Sequence, residues 1–148
     1  MIRSARPEDI VSFIALQRCV EDAGEIWGYA ADPETKWSAR SLAWSFVAVH
    51  DGQAVGFIYC EPREHAGECV FPARSRILEI TELVVHPEHR DHGHGRQLLA
   101  SARAQAVRDG FSHLRVYSAA KQLEDVVRFY RSCGFTPWYV ELTQPLGS

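Results

Sequence analysis

The chain has 148 residues, 46% of them apolar and 24% charged, with a formal net charge of -3 and only 10 Gly, 7 Pro and 4 Cys. That length fits one domain of the usual roughly 100–200 residues, and the apolar fraction excludes a disordered or low-complexity tail. No apolar run approaches the roughly 20 residues of a membrane-spanning helix, since Leu42–Val49 stops at His50, and no basic cluster marks a face for nucleic acid or a lipid surface.

Ile2 to Ala5 predicts a short first strand, and Arg6-Pro7-Glu8-Asp9 supplies a proline and two acids to a first helical turn. Ile10, Phe13, Ile14, Leu16 and Val20 recur at helical spacing, with Gly24 as the stop. Residues 25–37 carry Trp27, Tyr29 and Trp37 without a clean period and read as a loop or short helix of the kind that lines a ligand mouth. Ser45–Val49 and Ala54–Cys60 predict two antiparallel strands joined through His50-Asp51-Gly52-Gln53. Glu61–Arg76, broken by Pro62, Gly67 and Pro72, reads as an insertion loop before a strand over Ile77–Val85. A polar loop over Glu88–Gly95 follows, then a helix over Arg96–Asp109 closed by Gly110, and a strand over His113–Tyr117 that a crossover of this length makes parallel to its predecessor. A helix over Gln122–Cys133, stopped by Gly134, and a last strand over Phe135–Leu142 complete the chain. The order predicts one α/β (α+β) domain over 1–148, with a mixed, mostly antiparallel sheet flanked by helices.

Cys19, Cys60, Cys69 and Cys133 are scattered with no Cys-x-x-Cys pair, so neither zinc nor a disulfide framework is expected. The charged N-terminus lacks the apolar segment of a secretory signal, and reduced thiols fit the cytoplasm. Charge is uneven. Residues 1–35 hold Glu8, Asp9, Glu21, Asp22, Glu25, Asp32 and Glu34 against Arg3, Arg6 and Arg18, a setting that suits a cationic partner.

The informative stretch joins the strand ending at Val85 to Arg90-Asp91-His92-Gly93-His94-Gly95 and the start of a helix. Glycines let the backbone approach a ligand there, and the unpaired amides of a helix start attract phosphate. A Walker loop fails for want of a lysine after Gly95, and a dinucleotide fingerprint fails because Leu98 stands at the third glycine. His86, His89, His92 and His94 crowd the same stretch but ride a loop, so no metal is expected. Cys133 reads as a buried thiol rather than a nucleophile.

These residues resemble the GCN5-related N-acetyltransferase (GNAT) family. Arg90, Gly93 and Gly95 match its Arg/Gln-x-x-Gly-x-Gly/Ala signature, behind Val85-His86-Pro87-Glu88. Phe129-Tyr130-Arg131-Ser132-Cys133-Gly134-Phe135 matches its aromatic pair followed by Gly-Phe, and the opening Ile2-Arg3-x-Ala5-Arg6-Pro7-x-Asp9 is typical. Leu123 stands where members often carry asparagine, with Lys121 and Gln122 beside it as substitutes.

The resemblance implies that acetyl-CoA is a co-substrate and that parallel strands splay where it binds. Main-chain groups of Arg90, Asp91, His92, Gly93, His94, Gly95 and Arg96 would hold its pyrophosphate, and Leu83, Val84 and Val85 would pair with its pantetheine arm. It implies direct attack by a primary amine, either a small molecule or a peptide, in a ternary complex, and dimers are common among similar proteins. Tyr130 suits the acid that protonates the thiolate, since a phenol near pKa 10 keeps its proton where a thiol near 8.5 begins to lose it, and the amide of Leu83 suits the carbonyl oxygen. Glu79 is the first choice of base and Glu82 the second. Strict alternation puts Glu79, Thr81, Leu83 and Val85 on one face and Ile80, Glu82 and Val84 on the other, unless a bulge intervenes. Trp27 and Tyr29, with Trp37, Glu21, Asp22 and Glu25, are candidates for the acceptor mouth. The alternative is a sensor or scaffold that binds acyl-CoA without turnover.

Overall fold

The computed structural model describes residues 1–64 and 71–147; part of the expected insertion loop, with Cys69, lies outside the described residues. The chain opens with β1 (Ile2–Ser4), a 3-10 turn at Pro7–Asp9 and α1 (Ile10–Ala23). The carboxylate of Asp9 accepts both guanidinium nitrogens of Arg3 at 2.8 Å and the amide of Arg6 at 2.8 Å, tying β1 to the helix start. Gly24 ends α1 in the left-handed conformation at φ 64°. A short α2 (Glu34–Ser38) follows.

β2 (Phe46–His50) and β3 (Gln53–Glu64) form the expected hairpin. Asp51 and Gly52 both take positive φ, 49° and 75°, which is the backbone twist a two-residue connection demands. β3 is longer than expected and runs through Pro62 to Glu64, opposite β4 (Arg76–Val85). The reason is positional: β2 reaches only as far as Ile58, so beyond that residue β3 is an edge on its β2 side, where proline is tolerated. A 3-10 turn at Pro87–His89, α3 (His94–Arg108), β5 (His113–Val116) and α4 (Leu123–Ser132) complete the elements.

The sheet order is β1-β2-β3-β4-β5, antiparallel throughout except for the parallel β4–β5 pair. The expected last strand does not form: residues 135–142 make no ladder, and Pro137 removes the N–H that would anchor its middle. Trp138 instead stacks on Phe71 and His113, with ring centres 4.9 and 5.6 Å away.

Each sheet face has its own core. Leu98, Leu99, Ala102 and Ala106 of α3 pack on Ile58, Cys60, Leu78 and Ile80. Phe13, Leu16 and Val20 of α1 pack with Trp37 on Val47, Phe57, Tyr59 and Val84. Trp37 is thus fully buried, with Phe57 edge-on 5.7 Å away, and does not reach the expected mouth.

Gly56 lets β3 and β4 meet, since a Cβ there would stand 2.8 Å from the carbonyl oxygen of Val84. Gly56→Ala is expected to lower stability by about 1–3 kcal/mol in a urea titration. It should also disturb β4 at Val84 and Val85.

Candidate active site

β4 and β5 run together only from Ile77–His113 to Ile80–Val116. Past that point β4 continues alone on this side as Thr81–Val85. A bulge sits at the same place. Tyr59 opposes Glu82 while its neighbour Cys60 opposes Ile80, so Thr81 is an extra residue.

The bulge overturns the alternation expected from sequence. Leu83 and Val85 join Leu78 and Ile80 on the α3 face, whereas Val84 packs into the α1 core. Glu79 and Glu82 therefore share the α1 face. The amide of His86 donates to Val55 at 2.8 Å, so by alternation the amides of Leu83 and Val85 point away from β3 into the gap left by β5. The carbonyl of Val85 points there too and accepts Nε of Arg90 at 3.2 Å.

The loop beyond is shaped for an anion. Asp91 and Gly93 take left-handed backbone, φ 64° and 82°. Gln97 is the first α3 residue to bond back, to Gly93 at 3.0 Å, which leaves the amides of His94, Gly95 and Arg96 free at the helix start. A Cβ on Gly95 would stand 3.4 Å from Phe129, so glycine lets α3 begin close against α4. Arg96 donates to the carbonyl and hydroxyl of Ser132, joining the same two helices. His92 is exposed, and Nδ1 of His94 is buried without a partner. The Arg90 guanidinium is shared with both oxygens of Glu25 at 3.1 Å.

Tyr130 lies on the α3 side of the sheet, edge-on to Phe129 and Phe135 with ring centres 5.2 and 5.3 Å away. Burial pushes its phenol well above the ordinary tyrosine value, and the nearby thiols of Cys133 and Cys60 add to the rise.

On the opposite face the two glutamates differ in kind. Glu79 is 4% exposed and bound by two arginines. Nε of Arg63 donates to one oxygen at 3.2 Å, and Nε and Nη2 of Arg115 donate to the other at 3.1 and 2.7 Å. Glu82 has no such cation. Its oxygens accept Nε2 of Gln17 at 3.0 Å and the hydroxyl of Tyr29 at 3.2 Å. Burial raises the Glu82 carboxyl above the ordinary 4.5; the two hydrogen bonds pull it back, nearby Asp32 pushes it up again, and the charge of Arg40 opposes the rise. Tyr29 thus belongs to the site, and burial beside Glu82 raises its phenol. Trp27 is 68% exposed at the lip, with Nζ of Lys121 4.7 Å above its ring. Glu21 is turned to the amide of Ala31, and Asp22 is exposed.

Two main-chain bonds fix the lip to the β5–α4 turn and pair Ile26 with Ala120: Trp27 donates to Ala119 at 3.0 Å, and Lys121 donates to Glu25 at 2.8 Å. Sequence reasoning missed these links, and it missed Gln17, whose only signal was a polar residue between the buried positions Leu16 and Val20. Among the described residues no group of His, Cys, Asp and Glu could hold a metal ion, and no helix is long and apolar enough to cross a membrane.

A family model described as an acetyltransferase (GNAT) domain matches residues 40–137. A mycothiol acetyltransferase of Nocardiopsis dassonvillei is 42% identical over 64 residues, which span 43% of this chain and 16% of that protein. Among solved structures, a tetramutant of the BH1408 protein of Bacillus halodurans superposes with a TM-score of 0.80 at 17% identity over 99% of both chains. The aminoglycoside N-acetyltransferase AAC(6')-Iy in complex with CoA gives 0.70 at 17% identity over the whole of both chains. An aminoglycoside acetyltransferase from an uncultured soil metagenomic sample gives 0.71 at 21% identity, over 99% of this chain and 96% of that one. At these identities the likeness is one of fold.

The contrast between the glutamates predicts opposite stability effects. Glu79→Gln leaves two guanidiniums facing a neutral amide and is expected to cost about 1–3 kcal/mol in a urea titration at pH 7, with Arg63 contributing little because it is partly solvated. Glu82→Gln removes a buried charge with no bonded cation and is expected to leave stability unchanged or higher.

Proposed function

Because this chain belongs to the acetyltransferase (GNAT) family, we propose that it transfers the acetyl group of acetyl-CoA directly to a primary amine in a ternary complex. The observation that carries this reading is the parting of β4 from β5, with Glu82 on one side of the exposed strand edge and Tyr130 on the other. A thioester laid along that edge from the α3 side meets an acceptor arriving from the α1 side.

Acetyl-CoA is the co-substrate, and the residues fit it. The free amides of His94, Gly95 and Arg96 and the turn at Arg90–Gly93 take the pyrophosphate, and Leu83–Val85 offers main-chain partners to the pantetheine arm. The amine, freed of its extra proton by Glu82, attacks the carbonyl carbon. Negative charge then gathers on the carbonyl oxygen and meets the amide of Leu83. When the C–S bond breaks, the sulfur takes a proton from Tyr130 and the acceptor nitrogen gives up its surplus proton to solvent, from which the phenolate is reprotonated, leaving CoA as the thiol and the acceptor as an amide. A phenol with a raised pKa holds its proton at every working pH, so Tyr130 stays competent as a donor.

Glu82 rather than Glu79 is the base. Its elevated pKa brings it nearer to the amine, whereas every oxygen of Glu79 is already committed to an arginine. Glu79 instead holds β3, β4 and β5 together below the gap. The acids at the lip, with Tyr29 and Trp27 beside them, favour a cationic small-molecule acceptor. Free Cys19, Cys60 and Cys133 suit the reducing cytoplasm.

Thiol release from acetyl-CoA, followed with a panel of polyamines, aminoglycosides, amino acids and peptides, tests the reading. Release is expected with at least one small cationic amine. Tyr130→Phe should lower kcat about 100-fold, and Glu82→Gln by about 10²–10⁴, both with acetyl-CoA affinity retained in calorimetry. Tight CoA binding without release from any amine would instead point to a sensor. Since Glu82 must be ionised to act and its pKa is raised, kcat should fall on acidification through a limb centred above pH 4.5.

A further inference from the structure

We propose that Gln17 is a positioning residue for the base, its side-chain amide fixing the orientation and sustaining the ionised form of Glu82. This rests on the reading of Glu82 as the base. Gln17 lies on α1 with no exposed surface, among Phe13, Leu16 and Val20, where an apolar residue would fill the same space.

A glutamine amide has two N–H donors and two carbonyl lone pairs, and here all four are used. Nε2 donates to Oδ2 of Asp32 and to Oε1 of Glu82, each at 3.0 Å. Oε1 accepts the amide of Asp32 and Nε1 of Trp37, each at 3.0 Å. The amide cannot flip, because its oxygen would then face two carboxylates and its nitrogen two N–H groups.

Asp32 is the fixed end of this arrangement. Nζ of Lys36 donates to it at 2.8 Å and Nη2 of Arg40 at 3.2 Å. Burial works to raise its pKa, yet the bonds from Lys36 and Gln17 and the neighbouring cations hold it below the usual aspartate range. Gln17 carries that anchorage across to Glu82. Among the described residues the one other donor on the Glu82 carboxylate is Tyr29, at 3.2 Å, while the charge of Arg40 favours the ionised form and that of Asp32 opposes it. A hydrogen bond to the charged form favours that form, so removing the Gln17 donor lets burial prevail, and Glu82 protonates at higher pH.

The test compares Gln17→Met, of similar volume but apolar, with Gln17→Leu, a second apolar filling of the space among Phe13, Leu16 and Val20, both held folded by saturating acetyl-CoA should either be destabilised. Kcat is measured against pH, with acetyl-CoA affinity by calorimetry and thermal midpoint alongside. The acidic limb of kcat should move up by about one pH unit in both variants, since neither offers Glu82 a donor. Acetyl-CoA affinity should stay within about threefold. A residue that only supports the core would lower the midpoint and the folded fraction while leaving the limb where it is, and that result overturns the proposal. The base reading fails separately: if Glu82→Gln keeps the wild-type kcat and limb, Glu82 is not the base. If Glu82→Gln abolishes turnover while the limb of the folded Gln17 variants stays put, only the role of Gln17 is lost.

Discussion

The site depends on one departure from regular pairing, the extra residue Thr81 in β4. A strand fully paired on both sides has no main-chain group left for a ligand. By ending the β4–β5 ladder at Ile80–Val116 and inserting a residue at the same level, the sheet frees the amides of Leu83 and Val85 without exposing a long edge. The inserted residue also resets which side chains face which layer. Leu83 and Val85 complete the α3 core, and Glu82 turns to the α1 side, where a polar network is waiting.

The two glutamates show how partners, rather than residue type, set a role. They lie on one strand and one face, three positions apart. Arginines from β3 and β5 saturate Glu79, which makes it a cross-strand tie at the point where the strands are still joined. Glu82 lies beyond that point, takes its hydrogen bonds among the described residues from the neutral donors Gln17 and Tyr29, and keeps an elevated proton affinity despite the more distant charge of Arg40. Glu79 is also the more deeply buried of the two, so what separates the cross-strand tie from the proposed base is which cations bond to it.

Much of the architecture was legible in the sequence. Helical spacing located α1, the Asp51-Gly52 pair located the hairpin, and Gly93 and Gly95 located the tight turn into α3. What stayed hidden has a common cause: it depends on partners distant in sequence. The alternating pattern of β4 carries no mark of an insertion, so the face of Glu82 followed only from pairing with Tyr59. Phe135–Leu142 has strand composition but gains no neighbour, and Pro62 reads as a break until β2 is seen to stop short of it. Trp37 looked like a mouth residue because its segment shows no clean period, yet α2 carries it and the ring is drawn inward by Phe13, Phe57 and the side-chain carbonyl of Gln17.

The lip over the parted strands is held to the β5–α4 turn by main-chain hydrogen bonds through Glu25, Ile26, Trp27, Ala119, Ala120 and Lys121. Main-chain bonds of this kind are indifferent to which side chains the residues carry. The course of the entrance can therefore survive while the chemistry displayed on it drifts, so that a change of acceptor preference demands new side chains on an old frame rather than a new loop. Such a scaffold is evolvable at little thermodynamic risk.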